Sequence, residues 1–247
     1  MRAGYGEPWI RRRRSRGIEV VKHRLGKPSA WQTIEATYQQ TTAHGAADNR
    51  ESMSVERIQQ HFRENAAVHR EALDTLAFPV AAAIDVLFGA LANGSRIFTC
   101  GNGGSAANSQ RLASTLVGHF ERERPGLPAI ALDANVVTIT GIGNNSAFEE
   151  IYSKQIRALG QAGDVLVVIS TSGNSVNLLA AIQAAHEREM FVIALTGAGG
   201  GVISEVLADT DIHICVPSER PARIQEVHLL TIHCLCDGID AMLLGDE

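Results

Sequence analysis

Two apolar runs, each ending in a polar turn that opens a helix, constrain this chain more than any other feature of its 247 residues. The first is Arg96-Ile-Phe-Thr-Cys-Gly-Asn-Gly-Gly-Ser-Ala-Ala-Asn-Ser109. Ile97 to Cys100 reads as a short strand, Gly101, Gly103 and Gly104 break it, and a helix follows with Ser105 as its expected N-cap. The second is Asp164-Val-Leu-Val-Val-Ile169, then Ser170-Thr-Ser-Gly-Asn-Ser175 and a helical pattern to Arg188. A strand feeding a glycine turn at a helix start brings free N–H groups and the positive end of the helix dipole together, which suits an anion. The second turn adds the hydroxyls of Ser170, Thr171, Ser172 and Ser175, which suit a phosphate monoester without Lys or Arg. In a parallel sheet both turns open on the carboxyl edge, where such folds bind ligands. The first loop is neither a dinucleotide fingerprint nor a P-loop, since its spacing is not G-x-G-x-x-G and no Gly-Lys-Ser/Thr follows. Taken alone, it also fits a tight turn that uses glycine only for geometry.

Further elements alternate around these two. Strands are expected at 97–100, 128–132, 164–169, 190–195 and 211–216. Helices are expected at 105–120, 147–159, 175–188, 201–207 and 222–244, with a short helix or strand at 136–142. Apolar strands separated by helices imply an α/β protein, a three-layer αβα sandwich on a parallel sheet. Before the first strand, a narrow apolar stripe (Ile58, Phe62, Ala66, Val68, Leu73) and a richer one (Val80 to Leu91) read as a helical hairpin poised to pack on a partner subunit. Thr196-Gly-Ala-Gly-Gly-Gly201 has no hydroxyl cluster and reads as a flexible connector.

Charge divides the chain. Residues 1–52 hold ten Lys/Arg and five Asp/Glu, whereas residues 53–247 hold twelve and twenty-two. The acidic body argues against direct DNA binding by the folded domain. Residues 1–52, with Arg11 to Arg14 and little periodicity, read as a disordered basic leader, and residues 53–247 as the folded domain. Met53 is also a natural start, because Ser54-Val-Glu-Arg57 reads as a helix opening with Ser54 as its N-cap; on that reading the leader is a translated upstream segment and not native. No apolar h-region follows the Arg run, and no uninterrupted apolar run reaches the ~18–20 residues that span a bilayer, so neither secretion nor a membrane is expected. Cys100, Cys215, Cys234 and Cys236 form no C-x-x-C pair and read as reduced, buried thiols of a cytoplasmic protein.

With Cys-Gly-Asn-Gly-Gly-Ser105, Ile-Ser-Thr-Ser-Gly-Asn-Ser175, Ala-Leu-Thr-Gly197 and Ala-Arg-Ile-Gln-Glu-Val-His228 in order, the chain from Met53 onward resembles the sugar isomerase (SIS) domain family. It is similar to the branch shared by the phosphoheptose isomerases and the non-enzymatic, DnaA-associating DiaA type. The resemblance implies a five-stranded parallel sheet and a homotetramer. It implies phosphorylated-sugar contacts at Asn102, Gly103, Gly104 and Ser105, at Ser170, Thr171, Ser172 and Ser175, at Asn144 and Asn145, and at Gln225. In the isomerases a His and a Glu four residues apart on the first loop's helix, with a Gln and a His on the last helix, form the acid/base pair and an overlapping zinc site. Here the first two positions are Arg111 and Thr115, and the last two are Gln225 and His233. Arg cannot ligate zinc and Thr is a poor base, so the zinc site is degenerate, no metal is expected, and His233 is the one catalytic candidate.

Two functions follow from the resemblance. One is a phosphosugar-binding protein without turnover, acting on the replication initiator DnaA. It is favoured by Arg111 and Thr115 and by wording such as Cys234-Leu-Cys-Asp237. The alternative is an active sedoheptulose 7-phosphate isomerase of lipopolysaccharide heptose synthesis, with zinc.

Overall fold

The structure is a computed structural model. It describes Thr33 and the backbone of residues 47–245, with side chains from Ser54 onward. The disordered leader expected over 1–52 lies outside the described residues except at Thr33 and from Ala47, where the backbone is helical. The chain divides into two compact units, Met1–Gln60 and His61–Glu247.

The elements are α1 (Ala47–Ala92), β1 (Ile97–Gly101), α2 (Gly104–Val117), β2 (Ala129–Ala131), α3 (Val136–Asn145), α4 (Ser153–Leu159), β3 (Val165–Ile169), α5 (Val176–Glu187), β4 (Phe191–Thr196), α6 (Ile203–Val206), β5 (Ile212–Cys215) and α7 (Pro221–Leu244). Short 3-10 turns fill 148–150 and 198–200. The five strands form one sheet in the order β2-β1-β3-β4-β5, parallel throughout. Central β1 and β3 pair from Ile97↔Val165 to Gly101↔Ile169, so the loops after them leave the same edge side by side.

Strand alternation divides the core. Val165, Val167 and Ile169 face a cluster completed by Leu76, Leu87, Leu112, Ile224 and Ile232 of α1, α2 and α7. Leu166 and Val168 face another, with Ile156 of α4 and Leu178 and Ile182 of α5. Both faces of β3 are fully buried, which is why its five residues are all apolar. The three-layer αβα sandwich with a five-stranded parallel sheet is therefore observed.

Three expectations need correction. The N-terminal hairpin is one helix that continues through Pro79. Ala72 and Leu76 before the proline, and Ala83, Leu87 and Ala90 after it, all enter one core cluster. Keeping that stripe in phase outweighs the missing proline N–H. Ser54 is accordingly inside α1, not its cap. Finally, Cys234 is exposed, whereas Cys100 and Cys236 are buried; all four thiols are free.

By length and composition two helices, α1 over Ser54–Ala92 and α7, would suffice to cross a membrane. Each places a face in the core: Leu76 and Leu87 from α1, and Ile224, Leu235 and Ile239 from α7.

Candidate functional site

The first loop is built from β1 outward. The Gly101 N–H donates to Asp133 Oδ2 (3.1 Å), and its carbonyl accepts from the Tyr152 hydroxyl (2.5 Å). Gly103 turns the chain at φ 56°, a conformation that disfavours a side chain, and α2 begins at Gly104. Ser105 is not the N-cap: the cap position is Gly103, with no side-chain bond, and Ser105 is buried inside the first turn. The Ser105 N–H closes onto the Asn102 carbonyl (3.0 Å) and the Ala106 N–H onto Gly103 (3.1 Å). Among the described residues the amides of Gly103 and Gly104 take no acceptor, which leaves them open at the start of α2.

The second loop is more tightly self-bonded. Ser170 Oγ accepts from the Gly173 N–H (3.0 Å) and Ser172 Oγ from Asn174 (3.4 Å). The hydroxyls of Thr171 and Ser175 take no partner among the described residues, and Ser175 stands at the N-cap of α5 without capping it. The segment 197–201 is not a loose connector. Val202 N–H donates to Asn174 Oδ1 (3.0 Å), Ile203 N–H to the Gly173 carbonyl (2.9 Å), and Ala198 N–H to Ser218 (2.9 Å). Gly173, at φ 67°, lies so close that an added Cβ would sit 1.8 Å from the Gly200 carbonyl oxygen. This third glycine turn braces the second loop.

The Ala222 to His228 stretch distributes its polar groups in different directions. Arg223 is buried and donates to the His61 carbonyl (2.5 Å) and to Glu226 (2.7 Å), and Glu226 accepts from Asn65 (2.7 Å), fastening α7 to α1. Gln225 reaches the first loop: a Cβ on Gly104 would lie 2.6 Å from Gln225 Nε2. Its carbonyl accepts from Asn108 of α2 (3.2 Å). His228 is fully buried and bonds through Nε2 to the Thr196 carbonyl (2.9 Å). Burial pushes its pKa down to about 4, partly opposed by that bond, so it is neutral and donates from Nε2.

Not every expected residue joins the loops. Asn144 and Asn145, exposed at the end of α3, bond each other (3.2 Å). His233 lies two turns beyond Gln225, and its ring centroid is 5.5 Å from that of Phe120. Arg111 is exposed and Thr115 half-buried on α2. Among the described residues no three of His, Cys, Asp and Glu come together as a metal group. One imidazole, one amide oxygen, a hydroxyl and a permanent cation do not fit zinc.

The sequence reading missed three residues beneath the loops. Asp133 is buried, its Oδ1 has no partner among the described residues, and burial raises its pKa against the opposing bond from the Gly101 N–H. Tyr152 is buried, with its pKa raised by that burial, so it stays an O–H donor. Asn177 bonds Asn102. None sits in a glycine loop, so only the sheet order and the short helix α4 bring them there.

Residues 60–197 match the SIS domain family. Phosphoheptose isomerases from Azoarcus sp. (strain BH72) and Dechloromonas aromatica are 55% and 56% identical over 193 residues, 78% of this chain and 98% of each relative. Among solved structures, phosphoheptose isomerase GmhA from Neisseria gonorrhoeae superposes with a TM-score of 0.72 at 48% identity, over 75% of this chain and 98% of that one. A phosphoheptose isomerase from Francisella tularensis gives 0.74 at 45%, over 76% and 98%.

Proposed function

Because the chain belongs to the SIS domain family, we propose that its paired loops bind a phosphorylated sugar and that it acts as a phosphoheptose isomerase on sedoheptulose 7-phosphate. The observation that carries the binding reading is the open amide pair of Gly103 and Gly104 beside the free hydroxyls of Thr171 and Ser175, on one edge of the sheet. The substrate class rests on relatives of that name at 55–56% identity over nearly their whole length. Those relatives favour the isomerase over the DnaA-associated role, which gains no support from them.

The reaction moves a proton between C1 and C2 of the sugar. Arg111 supplies a guanidinium on the helix that the first loop opens, suited to a phosphate or a sugar oxyanion. The reading gives the proton to half-buried His233, two turns beyond Gln225 on α7 and away from the loops of the single chain. The reading includes a cytoplasmic homotetramer and involves no metal step, since the donor set does not suit zinc.

One observation favours a second reading, binding without turnover: Thr115 stands where a carboxylate base is expected, and no acid replaces it on α2. Turnover decides between the two. The full chain is given sedoheptulose 7-phosphate with and without zinc, and aldose phosphate is followed, beside an Arg111→His/Thr115→Glu variant. The isomerase reading expects product from the natural chain. A silent natural chain that sedoheptulose 7-phosphate still protects against thermal unfolding overturns it in favour of binding alone.

A further inference from the structure

The resemblance makes Asn102 a sugar contact, but its side chain is engaged elsewhere. Asn102 Nδ2 donates to Asn177 Oδ1 (2.8 Å), and Asn177 Nδ2 donates back to Asn102 Oδ1 (2.9 Å). The two amides form a closed ring of two hydrogen bonds. It closes only when both have matching orientations: turning one alone sets oxygen against oxygen and nitrogen against nitrogen. Asn177 is 3% exposed and Asn102 half-buried, so the ring is shielded from water on the Asn177 side. The Tyr152 hydroxyl lies 3.4 Å from Asn102 Oδ1 while it donates to the Gly101 carbonyl.

The ring joins the two halves of the site. Asn102 is the first residue after β1, and Asn177 is the second residue of α5, just beyond the hydroxyl loop. Gly103 and Gly104 have large conformational freedom to lose, and their amides are the open ones. Upstream, the Gly101 N–H is held by Asp133 and its carbonyl by Tyr152. The amide ring is a further tie, and it joins the first loop to the helix that carries the second.

We propose that Asn102 and Asn177 are positioning residues: a reciprocal amide clasp that aims the Gly103 and Gly104 N–H groups at the ligand held by the second loop. The idea rests on the phosphosugar reading above, but its test separates the two. In the full chain, amide NMR signals of Gly103 and Gly104 are compared between the natural protein and Asn177→Ala, and sedoheptulose 7-phosphate affinity is titrated for Asn102→Ala, Asn177→Ala and the double variant. The clasp requires shifted, faster-exchanging glycine amides in Asn177→Ala. It also requires about tenfold weaker binding in each single variant and little further loss in the double. Asn177→Asp keeps the acceptor and removes the donor, so it must disturb the same amides even if Asn177→Ala folds poorly. Unchanged glycine amides in a folded Asn177 variant overturn the clasp, with or without sugar binding. Lost affinity in Asn102→Ala alone also overturns it, because Asn102 then touches the sugar directly. A natural chain that binds no phosphosugar sinks the proposed function, while the NMR arm still decides the clasp.

Discussion

His228 shows how much one side chain depends on its surroundings. It lies on the same helix as His233, yet it is fully buried and bonded to Thr196, with Nδ1 left without a partner. Its folded pKa of about 4 lies below the ordinary value of 6.5. The unfolded chain therefore binds the proton more readily. Its contribution to stability is complete above pH 6.5 and is lost as pH falls toward 4. The shift is worth roughly 3 kcal/mol across that window. Urea melts between pH 7.5 and 4 are expected to show this slope in the natural chain and a flatter one in His228→Gln. Equal slopes would mean that the ring is reached by water. Gly173 offers a second residue-scale test. Its φ of 67° and the Gly200 carbonyl leave no room for a methyl group. Gly173→Ala is expected to cost about 2 kcal/mol or more in thermal melts and to weaken phosphosugar binding, because the brace and the hydroxyl loop must separate.

At the scale of elements, α1 and the third glycine turn departed most from expectation. Pro79 lies near the expected break between the two apolar stripes, and a proline cannot donate to the carbonyl four residues back. Yet the core positions on its two sides, Leu76 and Leu87 among them, share one face of a single helix. Packing on the sheet holds that face together. Pro79→Ala restores the donor without changing the stripe, so it is expected to raise stability by about 1–3 kcal/mol. A decrease would mean that the proline ring itself fills a needed place. The turn at 197–201 read as a loose connector because it has no hydroxyl cluster. Its glycines let it press backbone against backbone onto Gly173 and Ser172.

Across the whole molecule, apolar surface remains exposed among the described residues. α3 has no buried residue, and Val136 and Val137 are 67% and 81% exposed. On α1, Phe62, Leu73 and Phe78 are more than 70% exposed. Such surface fits self-association. The homotetramer of the proposed function is expected to sediment at four times the 26.5 kDa chain mass. Val137→Asp is expected to lower that mass. A monomeric natural chain would remove the tetramer from the proposal.

The alternation of short apolar runs with helical patterns was enough to read the parallel sheet, because strands buried on both faces must be apolar throughout, as Val165 to Ile169 are. Both strand-to-helix turns were legible for a similar local reason: clustered glycines and small polar residues break an apolar run and open a helix. What the linear order concealed was pairing between distant side chains. Asn102 meets Asn177 seventy-five positions away, Tyr152 reaches back to Gly101, and Asp133 holds the same residue from β2's end. An Asn, a Tyr or an Asp outside a motif has no local pattern to distinguish it, since its partner is chosen by strand order and by depth below the surface. His228 and Pro79 belong with them. Whether a ring is buried, or a helix passes through a proline, depends on free energy from packing that no window of neighbouring residues contains.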